Sequence, residues 1–288
     1  MLLKFVFCIL VLLWSGAAFT PLAKADATPP LLFATQQLSR IQRERGFGIY
    51  DLYFTHRIQF FTLQPETQQR QRRAEITFNE CRAGLCEFLG FRWLPKRNQV
   101  VFYARIEDFL GLYLLDLREG ATPEKIADGG LIGLVISSDE RWLVYSQSAN
   151  PRDPSLPAKL HMIALDGEKT PRVLLPQLDE WQFALGVDPR GEYITFNSAA
   201  YDLSQPLESV ITTYHLKLDN LSLIEVSSNS QVDGAVWSPD GQQIAYCERR
   251  LLSVADRSGQ NRKQITASTT PCLGLAWFPQ GDRLLYSD

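Results

Sequence analysis

One ten-residue phrase recurs along most of this chain and constrains its fold more than any other feature. The clearest copy runs from Trp237 to Tyr246, reading Trp-Ser-Pro-Asp-Gly-Gln-Gln-Ile-Ala-Tyr. A second, from Trp277 to Tyr286, keeps the Trp, Pro, Gly and closing aromatic in register. Three weaker copies begin at Trp93, Ile136 and Val187 and hold the frame through Pro95 and Phe102, through Asp139 and Tyr145, and through Pro189, Gly191 and Phe196. Each phrase describes a β-hairpin. An apolar anchor ends one strand, Pro-Asp-Gly supplies a fixed φ and then a residue free to take φ > 0, and an apolar triplet opens the returning strand.

The start positions are 43, 51, 50 and 40 residues apart, about 46 on average, which is the length of a four-stranded blade. Two further strands fit between successive phrases. Third strands are expected at 112–116, 160–167, 213–219 and 251–256, three closing on an Asp and the second on Asp166-Gly167, which opens a turn. Fourth strands are expected at 125–127, 172–175, 222–226 and 263–266. The expected fold class is therefore all-β, a β-propeller of four-stranded blades. The last phrase leaves its unit with two strands, and segments 57–63 and 74–78 read as a third and fourth strand without a hairpin phrase before them. N-terminal strands would then close the ring by completing the C-terminal blade, which removes two open edges. Residues 57–288 correspond to five blades. A strand at Ile49–Phe54 would make a sixth blade the alternative.

The phrases Trp237–Tyr246 and Trp277–Tyr286 are similar to the repeats of the TolB propeller family, shared with the propeller domains of prolyl-oligopeptidase-like peptidases. The resemblance covers about residues 90 to 288, without a counterpart of the family's N-terminal α/β domain. It implies a propeller that works by binding, with an envelope protein as partner and a periplasmic or secreted location.

The ends and the composition agree with export. Lys4, an apolar run from Phe5 to Trp14 and the triplet Ala23-Lys24-Ala25 have the layout of a signal peptide cut between Ala25 and Asp26. The rival is an uncleaved anchor over Phe5–Leu22, the only membrane contact the sequence implies. The domains expected are a signal at 1–25, an N-terminal extension at 26–56 and the propeller at 57–288. A formal charge of −3 gives no electrostatic footprint for nucleic acid. The cluster Arg70, Arg72 and Arg73 reads as a solvated loop. Of five cysteines, Cys8 leaves with the signal. The remaining even count in an oxidising compartment suggests two disulfides. Cys81 and Cys86 flank Arg-Ala-Gly-Leu, where Gly84 lets the chain turn back, and they would make only a weak metal site. Cys247 and Cys272 would tie neighbouring blades, worth about 2–4 kcal/mol.

The sequence implies neither catalysis nor a cofactor. His56, His161 and His215 are the three histidines, the latter two within third strands as packed or rim residues. Neither G-x-S-x-G, H-E-x-x-H nor a phosphate loop occurs. The candidate binding rim lies opposite the hairpin turns, just after each closing aromatic: Ala104-Arg105, Ser146-Gln147, Asn197-Ser198, Cys247-Glu248 and Ser287-Asp288. Arg105, Gln147, Asn197 and Glu248 are its recognition candidates. Two long connections, 148–159 and 199–210, leave from the same end. The competing expectation is an enzyme acting on a carbohydrate or lactone in the propeller funnel.

Overall fold

The structure, a computed structural model, describes residues 30–46, 49–82, 86–106, 109–129, 131–148, 156–200, 210–228, 232–248, 250–267 and 275–286. The signal segment, Cys272, Ser287-Asp288 and most of the two long connections fall outside the described residues. Every regular element described is a β-strand, and no helix is long and apolar enough to cross a membrane. The described residues up to Asp128 form one compact unit and those from Gly129 a second.

In the first unit, β1 (Leu31–Gly46), β2 (Ile49–Leu63) and β3 (Arg70–Arg82) make a three-stranded antiparallel sheet in that order. A four-stranded sheet follows, with β4 (Cys86–Leu94), β5 (Gln99–Ile106), β6 (Phe109–Asp116) and β7 (Glu124–Asp128). Period-two alternation sends Ile58, Phe60, Ala74 and Ile76 into a common core with Phe91, Val100, Phe102 and Leu115. The rings meet edge to face or stacked, as in Phe60 to Phe91 at 5.5 Å and Phe102 to Tyr113 at 5.2 Å. The boundary drawn at residue 57 falls inside β2, and β1 belongs to the same sheet as β2.

The second unit repeats one plan. Its sheets are β8 (Leu131–Ile136) to β11 (Arg172–Val173) through β9 (Trp142–Ser148) and β10 (Ala158–Ala164), and β12 (Trp181–Val187) to β15 (Leu223–Ser227) through β13 (Tyr193–Ala200) and β14 (Val210–Lys217). The third holds β16 (Val232–Trp237), β17 (Gln243–Glu248), β18 (Leu251–Asp256) and β19 (Lys263–Ala267), and the last pairs β20 (Leu275–Trp277) with β21 (Leu284–Tyr286). In all five phrases the anchor lies in a sheet's first strand and the closing aromatic in its second.

The phrase turns explain their own composition. The amides of Gly191, Gly241 and Gly281 donate three residues back, to Asp188, Ser238 and Phe278, at 2.8–2.9 Å, and each glycine then takes a φ near +70°. The residue after the anchor finishes the turn from inside. Ser238 Oγ accepts from the Gln243 amide at 2.9 Å, and Ser137 Oγ from Arg141 and Trp142 at 3.1 Å. Asp188, fully buried, accepts from the amides of Glu192 and Tyr193 at 2.6 and 2.8 Å. The serine of Trp-Ser-Pro-Asp-Gly is thus a built-in acceptor for the backbone donors that close the turn.

Successive first strands lie against one another, β12 against β8 and β16, and β16 against β20. Backbone approaches backbone there. A Cβ on Gly133, at φ +65°, would overlap the carbonyl oxygen of Ala184, and one on Gly186 would lie 2.9 Å from that of Ala235. Each of β4, β8, β12 and β16 also carries a register shift a few residues before its anchor.

The structure corrects the reading of Arg70, Arg72 and Arg73 as a loop: they open β3. The turn is confined to residues 64–69, closed by Gln64 donating to the Gln69 carbonyl, and Arg70 stacks on Phe61 at 3.6 Å, which holds the strand start in place.

Gly133→Ala is expected to lower the unfolding free energy by about 3 kcal/mol or more, because strain at φ > 0 adds to a clash with unyielding backbone. Gly120→Ala, at φ +73° with nothing within 4 Å, should cost about 1–2 kcal/mol from φ alone. Urea unfolding of the two variants measures the difference.

Candidate functional site

The polar positions after the closing aromatics are the place to look for recognition, and the structure divides them. Ser146 is fully buried and its Oγ accepts the Ala184 amide at 3.0 Å, joining β9 to β12. Asn197, 5% exposed, donates from Nδ2 to the Val232 carbonyl at 2.8 Å and accepts from Thr213 Oγ1 at 2.7 Å, joining β13 to β16. Glu248, 8% exposed, accepts from Ser227 Oγ at 2.6 Å and pairs with Arg262 at 2.5 Å. The Arg262 guanidinium in turn lies 5.3 Å from the ring of buried Tyr246, whose phenol pKa burial raises. Asn197 and Glu248 are therefore spent inside the protein. Gln147 and Arg105 are half-buried, Gln147 against Gly129 and Arg105 in the separate first unit.

Other buried polar groups follow the same logic. Gln182, fully buried, accepts from the Leu160 amide at 2.9 Å and donates to the carbonyls of Leu175 and Leu178. Trp237 Nε1 donates to Thr195 Oγ1 at 3.0 Å, and that hydroxyl is also hydrogen-bonded to His215 Nδ1 at 3.0 Å. Trp277 Nε1 donates to the Val236 carbonyl at 3.0 Å. The anchor tryptophans were legible as apolar plugs. The N–H groups of Trp237 and Trp277 bonding to the preceding sheet were not, because the partner lies about 40 residues away in sequence.

The three histidines stand apart in role. His56 is buried and bonds Gln36 Oε1 at 3.0 Å. His161 stacks on Tyr145 and bonds the Lys159 carbonyl, with its pKa lowered by burial. His215, fully buried with its ring 4.8 Å from that of Trp237, has its pKa pushed down to about 4 by desolvation. Among the described residues no three His, Cys, Asp or Glu side chains come together as a metal site.

At the hairpin end of the second unit, Asp139, Arg141, Trp142, Met162, Ala164 and Asp166 line a shallow depression of about 290 Å³. Arg141 lies 3.4 Å from Asp166, so these charges largely answer one another. The described cysteine side chains, Cys81 and Cys247, are 3% and 0% exposed.

This geometry defines an all-β protein with several four-stranded antiparallel sheets set first strand to first strand, consistent with a β-propeller. Solved structures show the same fold. A protein assigned as TolB from Agrobacterium tumefaciens is 20% identical with a TM-score of 0.55, covering 77% of this chain and 74% of that one. TolB from Acinetobacter baumannii is 12% identical with a TM-score of 0.53, covering 86% and 73%. An oligogalacturonate lyase solved in complex with manganese is 12% identical with a TM-score of 0.60, covering 88% and 82%. No family model and no curated protein sequence matches the chain.

His215 generates a pH prediction. Its folded pKa near 4 lies below the unfolded value of 6.5, so between these limits the unfolded chain binds more protons and stability falls as pH drops. At pH 4.5 this term amounts to about 2.5 kcal/mol. Urea unfolding at pH 7 and 4.5 should show the wild type losing about that much more than His215→Gln.

Proposed function

We propose that this chain is an exported, non-catalytic propeller scaffold that binds another envelope protein or an envelope component. The supporting observation is where its buried polar groups are spent. Ser146, Gln182, Thr195 and Asn197 each bridge neighbouring strands or sheets, an arrangement that favours rigidity over a converging reactive centre. Location in the periplasm, or secretion, is part of this reading, supported by the signal-like segment at 1–25 and the likeness to TolB. Cys81 pairs with Cys86 and Cys247 with Cys272 in this reading. Its ring has five blades, with N-terminal strands completing the sheet begun by β20 and β21.

The second reading, an enzyme acting on a carbohydrate, draws on the likeness to the lyase. One experiment separates the two. The secreted protein is captured from cross-linked envelopes alongside Arg105→Glu/Gln147→Arg, and the wild type is incubated with oligogalacturonate with and without manganese. The binding reading predicts a specific partner lost from the double variant, at unchanged melting temperature, and no turnover. Manganese-dependent cleavage would overturn it.

Ring closure has its own readout. A further strand on β21 protects every amide from Leu284 to Tyr286 in native-state hydrogen exchange, whereas an open edge leaves those pointing away from β20 exchanging within about seconds.

A further inference from the structure

The depression at the hairpin end of the second unit joins an apolar floor to donors and acceptors. Half-buried Trp142 and Met162 supply the floor, and the exposed Asp139, Arg141 and Asp166 stand at its margin. Register explains the floor: Trp142 pairs with Ala164 and Val144 with Met162, so Trp142, Met162 and Ala164 share one face of the β9–β10 ladder. The turns around it, 137–141, 165–171 and 188–192, are described throughout, and the undescribed connections of this unit leave from the other end. The indole is fixed from two sides. The Trp142 amide donates to Ser137 Oγ at 3.1 Å and its carbonyl accepts the Ser137 amide at 3.0 Å. Gly191 of the next hairpin leaves only 3.3 Å between its would-be Cβ and the six-membered ring.

The next hairpin shows what closes such a place. Tyr193 stands there where Trp142 stands here, and Arg257 lies 4.7 Å from its ring and pairs with Glu192. Arg257 follows Asp256, the partner of Gln243. In the sheet packed against β9 and β10 the corresponding residue, following the Lys217 that pairs with Tyr193, is Leu218, which brings no guanidinium to Trp142. The charges at the margin are balanced. Arg141 reaches Asp166 through Nε alone, at 3.4 Å, and its terminal amines meet no other acceptor among the described residues. Arg172 bonds to Met162 Sδ at 3.3 Å. Two carboxylates and two guanidiniums leave little net charge to hold an ion. An aromatic floor with donors and acceptors beside it suits a ring that carries C–H on its faces and hydroxyls around its edge.

We propose that this depression binds one neutral pyranose residue of a glycan, stacked on Trp142, with Arg141 donating to and Asp166 accepting from neighbouring hydroxyls. Its volume of about 290 Å³ lies at the lower end of small-molecule sites, which gives room for a single ring rather than a buried chain. The proposal rests on the binding reading above for the source of the glycan. It lies at the end of the unit opposite Gln147, so sugar binding and partner capture are read separately.

The test is saturation-transfer NMR on the secreted protein with methyl β-glucoside and methyl N-acetyl-β-glucosaminide, and with galacturonate and glucosamine as charged counterparts. Transfer to the ring protons of a neutral sugar is expected, with a dissociation constant of roughly 1 mM, and the stronger of the two neutral probes tells a glucose polymer from an N-acetylhexosamine polymer. Trp142→Ala and Asp166→Asn should each weaken binding about tenfold. Asp282→Asn, which removes a comparable exposed pair with Arg283 in another hairpin, should leave it within about twofold. If Trp142→Ala lowers the melting temperature, Asp166→Asn and Arg141→Gln, both at exposed side chains, carry the test. No transfer from either neutral sugar, equal losses in Asp166→Asn and Asp282→Asn, or tighter binding of galacturonate or glucosamine would overturn the proposal and leave partner capture untouched.

Discussion

Backbone-to-backbone contact between successive first strands is the constraint on which the second unit depends. At Gly133 against Ala184, and at Gly186 against Ala235, there is no room for a side chain. That closeness denies water to the polar groups nearby, so each must find a protein partner or carry a desolvation penalty of about 1–3 kcal/mol. The buried serines, threonine, asparagine and glutamine follow from it. They complete bonds that the packing would otherwise leave open, and in doing so they fix the register of one sheet on the next.

The same logic runs through the hairpin end. Ser137, Asp188 and Ser238 close their own turns, and the turns touch in succession. Ser138 donates to the Pro189 carbonyl, and Gly241 leaves only 3.4 Å between its would-be Cβ and Pro189. A repeat of this kind is stabilised locally within each hairpin and again by its neighbour. Arg70, stacked on Phe61 and Phe33 and unpaired with any described carboxylate, is not consumed in these contacts.

Strand order was legible in the sequence because it is written locally. The turn from Trp237 to Gln243, the apolar triplet after it and the Asp256 that ends a third strand each act within a few residues. The β1–β2 pairing was not legible. Residues 31–45 contain neither Gly nor Pro and are rich in Gln and Arg, and their strand character comes from a partner strand rather than from their own pattern. The internal bonds of two rim residues were not legible for a related reason. Asn197 and Glu248 were placed on the rim by their position after the closing aromatics, but their partners, Val232 and Thr213 for one and Ser227 and Arg262 for the other, lie 14 to 35 residues away. Side-chain polarity predicts exposure only where nothing distant supplies a partner.

The most direct test is the free energy of unfolding of Asn197→Ala in urea, measured alongside capture of the proposed partner from cross-linked envelopes. If the polar groups after the closing aromatics join the sheets, the variant loses about 2 kcal/mol or more, since the Val232 carbonyl and Thr213 hydroxyl are left buried without their partner, and the folded fraction still binds. Unchanged stability with lost binding would contradict the account and return Asn197 to the binding surface.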